Sequence, residues 1–314
     1  MFNTPILFII FNRLDTTKNV FEQIKKVQPA QLFIAADGPR MLVDGEKEKC
    51  ETVRNWVMNN LDWDCEVKTL FRDENLGCGK GPASAIDWFF QNVEEGIILE
   101  DDIVPDMSFF YFCELQLIKY RNVKNILTIS GDNFQGTFNR GDGSYYYSKY
   151  VHIWGWATWK RTWDLYDFNI KNWDMFKSKR SQEISMNPIE ILYWTEIFDN
   201  IYAGKNDAWD YQLFYLSIFN NGLNVIPNIN LIKNIGFGEG ATHTIDSTHI
   251  LSKMQSHEYT EDRIPSLIQV NSEADIYTFE TVYCNLKPIV IQKKSLIKGI
   301  VSKLLGFNVT NNRK

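Results

Sequence analysis

The chain has 314 residues, 44% of them hydrophobic and 23% charged, with nine prolines and a net charge of −6. This is the composition of an ordinary globular chain with room for a sizeable core, and it excludes long disorder, collagen-like repeats and a disulfide scaffold. An acidic balance also speaks against nucleic acid as a partner, which would call for a basic patch.

Residues 5–11 form a continuous apolar run of strand length, and residues 15–27 set Val20, Ile24 and Val27 at helical spacing behind a polar cap. The run lacks a basic leading segment and a small-residue cleavage site, and Asn12-Arg13 ends it, so it reads as a buried strand and not as a signal peptide or membrane span. A second strand, 32–36, ends at Asp37-Gly38-Pro39, and a charged helix covers about 45–61. A third strand, 66–71, leads through a glycine-punctuated loop, 75–81, to a helix over 83–93. Residues 96–99 are a fourth strand, 107–121 a fourth helix and 126–130 a fifth strand.

Beyond Ser130 the pattern changes. Tyr145-Tyr146-Tyr147 and the stretch holding Trp154, Trp156, Trp159, Trp163 and Trp173 read as irregular, 189–201 and 211–220 as helical, and 224–235 as extended. Clustered tryptophan is ordinarily core, but indole faces also stack on sugars. The tail, 293–305, interleaves apolar residues with Lys293, Lys294, Lys298 and Lys303, the pattern of a helix packed on the domain or lying on an anionic membrane surface. Five cysteines, odd in number and without a C-x-x-C pair, indicate reduced thiols. The expected location is cytoplasmic, with peripheral contact at the inner membrane face through the tail.

Strands that are apolar throughout are covered on both faces, with helices supplying the cover and the crossovers. The expected fold is a doubly wound, mostly parallel α/β sheet. Residues 1–130 would form a nucleotide-binding half, 131–250 an aromatic-rich acceptor-side and catalytic half of the same domain, and 251–314 a C-terminal extension. Ligands of such sheets sit beyond the carboxyl ends of the strands. Glu100-Asp101-Asp102 falls there, and three carboxylates in a cleft call for a positive partner such as Mg²⁺ or Mn²⁺ bridging to a diphosphate. Arg13 suits a phosphate, Asp37 a base or ribose, and the glycines around Lys80 a close backbone approach to a ligand. Neither G-x-x-x-x-G-K-[ST] nor G-x-G-x-x-G is present, which removes support from kinase-like and NAD-dependent readings.

In order along the chain, residues 6–13, Phe33 to Gly38 and Glu100-Asp101-Asp102-Ile103-Val104-Pro105-Asp106 resemble the nucleotide-sugar domain of GT-A glycosyltransferases. More narrowly they resemble N-acetylglucosaminyltransferase I and its protein O-mannose relatives. Gly155-Trp156, Trp209-Asp210-Tyr211 and the stretch from Gly236 to His243 extend the similarity. The resemblance implies a GT-A-like fold and inverting, metal-dependent transfer of N-acetylglucosamine or a related hexose from a UDP-sugar to a glycan or lipid-linked glycan hydroxyl. It further implies that Asp102 meets the metal, Asp101 the ribose, Glu100 the donor sugar, Arg13 the phosphate and Asp37 the uracil. The loop ending at His243 would order over the donor, with His243 a metal ligand or a phosphate contact.

Inversion needs one carboxylate to take the acceptor's proton. Asp210 is the expected base and Asp207 the fallback, the register being open by one residue. Trp154, Trp156 and Trp209 are candidates for an acceptor-sugar platform. Two rivals stand beside this reading. A nucleotidyltransferase of related fold would carry a glycine-rich loop after the first strand, where this chain has Phe11-Asn12-Arg13-Leu14-Asp15. A non-catalytic glycan-binding module would bind without metal.

Overall fold

The first apolar run is β1 (Ile6–Ile10), and α1 (Leu14–Val27) follows it, burying Thr17, Val20, Phe21, Ile24 and Val27 on one face. Asp15 in its first turn and Lys25 and Lys26 in its last complement the helix dipole. The alternation continues with β2 (Gln31–Ala36), α2 (Glu46–Asn59), β3 (Glu66–Phe71), α3 (Gly77–Phe90) and β4 (Glu95–Glu100). A short β5 (Ile103–Pro105), α4 (Met107–Tyr120) and β6 (Ile126–Ser130) come next. The second half holds β7 (Tyr145–Ser148), β8 (Trp156–Trp159), the helices α5 (Lys160–Trp163), α6 (Trp173–Arg180), α7 (Pro188–Tyr202) and α8 (Tyr211–Phe219), then β9 (Leu223–Pro227) and β10 (Ile232–Asn234).

This computed structural model describes residues 2–237 and 250–284. The chain divides after Asp275 into two compact units, and all the elements named above lie in the first. Eight strands form one mixed, mostly parallel sheet in the order β3-β2-β1-β4-β8-β6-β9-β7, with helices as its cover, as expected of a Rossmann-like α/β fold. β3, β2, β1 and β4 run parallel, Ile6 pairing with Leu32 on one side and with Ile97 on the other. β8 runs antiparallel between β4 and β6. The fully apolar strands carry the core: Ile6, Leu7 and Phe8, Leu32 to Ile34, and Ile97 to Leu99 are all buried.

Three expectations are corrected. Tyr145–Ser148 and Trp156–Trp159 are strands and not irregular chain, and every residue of both is buried. Their rings do the covering that aliphatic side chains do elsewhere, at about 150–250 Å² buried per aromatic. The third helix begins at Gly77 and not at residue 83, so the glycine-rich stretch is its first turns. A Cβ on Gly79 would lie 2.4 Å from Asp207 Oδ1, and one on Gly81 would lie 3.2 Å from Asp37 Oδ2, so these glycines seat the helix against protein carboxylates.

Candidate functional site

The chain steps from β1 outward to β2 and β3, then returns to lay β4 on the other side of β1. The crevice between β1 and β4 at their carboxyl ends is therefore the switch point, where ligands of such sheets bind. Arg13 follows β1 there and Glu100-Asp101-Asp102 closes β4, so two expected site segments meet. Arg13 Nη2 donates to Asp101 Oδ1 and also, at 2.8 Å, to Asp102 Oδ2. Asp101 is only 4% exposed, and its Oδ2 has no hydrogen-bond partner among the described residues.

Burial pushes Glu100 up to about 8, with the negative charges of Asp102, Asp101 and Asp210 adding to it and Arg13 opposing. The same burial lifts Asp101 to about 6 against the pull of Arg13. Burial works against the Arg13 charge, but Asp101 and Asp102 more than offset it and keep the guanidinium protonated. Burial and the neighbouring negative charges thus favour the protonated form of Glu100.

The short pair of β5 with β10 holds the outer side of this cluster. Asn234 lies opposite Ile103, the Ile235 amide donates to the Asp102 carbonyl at 2.9 Å, and Gly236 then crosses the Asp102 side chain. A Cβ on Gly236 would stand 2.0 Å from Asp102 Oδ2, so any larger residue there would have to displace the carboxylate.

Other expected residues have different surroundings. Asp37 accepts from the amides of Leu76 and Gly77, at 2.9–3.1 Å, and so anchors the start of α3. Lys80 is exposed on α3. Asp210 precedes α8 and lies near enough to Glu100 to raise its pKa. Asp207 is exposed, packs on Gly77 and Gly79, and accepts from the Cys78 thiol through its backbone carbonyl at 3.5 Å. Trp156 and Trp209 are 1% and 5% exposed, packed with Trp163 in the core, so neither offers a ring face as a platform. Trp154 is half-buried and meets Phe134 and Phe237 edge-on at 5.2 and 5.8 Å, beside Gly236. His243 and the basic tail lie outside the described residues. No described helix is long and apolar enough to cross a membrane.

Sequence reasoning missed a buried pair on the same sheet edge. Asp132 follows β6 as the triplet follows β4, and His152 Nδ1 lies 3.6 Å from its Oδ2 with both side chains almost fully buried. Burial pushes the Asp132 carboxyl well up and the imidazole down. The strand-end rule that singled out the triplet applies equally to Asp132.

Among the described residues no three Asp, Glu, His or Cys side chains converge as a metal cage. The donor set fits a different kind of cation site. Mg²⁺ is commonly held by one or two carboxylates with substrate phosphates and water completing the shell, and Asp102, half-buried at the rim, offers one such carboxylate.

No protein-family model and no curated protein matches the sequence. Solved structures similar to it include HddC from Yersinia pseudotuberculosis, 9% identical, covering 50% of this chain and 77% of that one at a TM-score of 0.31. The 4-diphosphocytidyl-2C-methyl-D-erythritol synthase of Anaerococcus prevotii is 8% identical, covering 62% and 84% at 0.31. The inositol-1-phosphate CTP transferase of T. maritima is 9% identical, covering 70% and 84% at 0.32. These are not N-acetylglucosaminyltransferases, and membership of that GT-A family, with UDP-sugar transfer to a glycan, is withdrawn. The motifs behind the resemblance are strand-end carboxylates and glycines, which report a sheet edge and not a reaction. The reaction has to be argued from the site.

Proposed function

We propose that the carboxyl edge between β1 and β4 binds a nucleoside polyphosphate together with Mg²⁺ or Mn²⁺, and that the protein is a transferase acting at that nucleotide's phosphates by nucleotidyl transfer. The observation that carries this reading is the meeting of Arg13 with Asp101 and Asp102 at the switch point of the sheet.

Arg13 takes a phosphate with its guanidinium fork. Asp101, buried behind it, orients the guanidinium. Asp102 is the carboxylate that would hold the cation, whose chemistry when bound is to stabilise charge on the phosphates as a Lewis acid. Glu100, whose proton burial favours, faces a ribose or acceptor oxygen as a hydrogen-bonding group. Asp210 takes the acceptor's proton where the acceptor is a hydroxyl, whose oxygen bonds to the α-phosphorus as the bond to pyrophosphate breaks and pyrophosphate leaves, with Asp207 supporting the adjacent start of α3. Trp154 supplies the flat face beside the site, suited to a base or a sugar.

Calorimetric titration with ATP, GTP, CTP and UTP, each with and without Mn²⁺, tests the reading. Metal-dependent binding of at least one nucleotide is expected. Silence across the panel, or binding indifferent to metal, would overturn it and favour a non-catalytic module.

A further inference from the structure

Arg13 already holds one oxygen, Oδ2, of the carboxylate that would meet a cation. A single nitrogen, Nη2, serves Asp101 and Asp102 together, and the side chain of Gly236 is absent so that backbone can close over Asp102 Oδ2. The two halves of this bridge differ in access. The Asp101 side chain is 6% exposed, while those of Asp102 and Arg13 are 18% and 28% exposed, so the outer pair can part into water and the inner one is shielded. Asp101 Oδ2 is buried and makes no side-chain hydrogen bond of ordinary geometry among the described residues, so Asp101 depends on Arg13 for its compensating charge. A guanidinium on Oδ2 and a divalent cation compete for the charge of the Asp102 carboxylate, while phosphate and Asp102 compete for the same guanidinium.

We infer that Arg13 is a resident counter-cation. It holds Asp102 until a polyphosphate draws the guanidinium away, so a divalent cation is admitted to Asp102 together with the phosphate and not ahead of it. This rests on the proposed nucleotide–cation reading and adds to it an order and a coupling. Linkage requires the coupling to be mutual: phosphate tightens the metal and metal tightens the phosphate.

The test follows free Mn²⁺ by its paramagnetic resonance signal, using the full chain. Wild type should bind Mn²⁺ alone weakly and bind it more tightly with inorganic tripolyphosphate, beyond what the Mn²⁺–tripolyphosphate complex in solution accounts for. Arg13→Gln should bind Mn²⁺ alone about two- to fivefold more tightly than wild type, the scale of a partly exposed ion pair, and lose the coupling. An Arg13→Gln protein with unchanged or weaker affinity for Mn²⁺ alone overturns the exchange. Should that variant not fold, wild type decides: equal Mn²⁺ affinity with and without tripolyphosphate overturns it as well. If the wild-type protein binds Mn²⁺–nucleotide normally in those cases, the functional reading survives the loss of the exchange. A wild type that takes up neither Mn²⁺–nucleotide nor Mn²⁺–tripolyphosphate removes both.

Discussion

The two sides of the sheet solve the same covering problem with different chemistry. On the parallel side, the buried side chains of β2, β1 and β4 are aliphatic and phenylalanine and need no side-chain partners. On the other side, β7 and β8 present tyrosine and tryptophan, and the buried residues include Thr128, Ser130, Asp132, Ser148, His152, Thr158 and Asn224. Those polar groups need partners: Thr128 donates to Asn224 at 2.8 Å, Thr158 to the Leu127 carbonyl at 2.6 Å, and Ser148 to Asp275 at 2.5 Å. The lesson is that the candidate site stands at the end of the apolar side, where carboxylates are paired with Arg13, while the aromatic side keeps its buried polar groups by hydrogen-bonding them to one another.

Substitutions can sharpen that contrast. Trp156→Ala empties a fully buried position in the sheet and should cost about 3–5 kcal/mol in chemical denaturation. Trp154→Ala, at the half-buried rim, should cost about half of that or less, and should weaken ligand binding instead. Equal losses of stability for the two would erase the distinction between core and rim tryptophans.

A further effect is expected in pH dependence, where the contrast is read as a slope and not as a single loss. Burial lifts Asp275 to about 7, with Glu190 adding and Ser148, the Lys149 amide and the Lys149 charge opposing. Its folded pKa lies above the unfolded value of about 3.9. Between roughly pH 4 and 7 the folded state therefore holds the proton that the unfolded state has lost, and stability falls as pH rises. Asp275→Asn should flatten the profile of melting against pH, removing a slope of at most about 1.4 kcal/mol per pH unit. An unchanged slope would show that Asp275 is not the group responding.

How much was legible in the sequence divides along the same line. The parallel strands could be read because uninterrupted apolar runs between amphipathic helices have one explanation. β7 and β8 could not, since Tyr-Tyr-Tyr and Trp-Ala-Thr-Trp match neither helical nor strand alternation when both faces are buried. The start of α3 was misplaced because glycine is a poor helix former, and only the fold reveals that Gly79 and Gly81 must let Asp207 and Asp37 come close. Within the site, Arg13 and the acidic triplet were legible from the strand-end rule. Their pairing was not, because 88 residues separate Arg13 from Asp101 and only strand order makes them neighbours. The motif resemblance misled for a related reason: short motifs carry the geometry of an edge without the chemistry done there.

Asp102→Asn tests the central claim most directly. It keeps the side chain's shape and removes the charge at the site's accessible carboxylate, so affinity for the preferred nucleotide in Mn²⁺ should fall on the order of 100-fold while the melting temperature holds. Wild-type affinity in that variant would mean that the acidic edge does not grip a cation and nucleotide together.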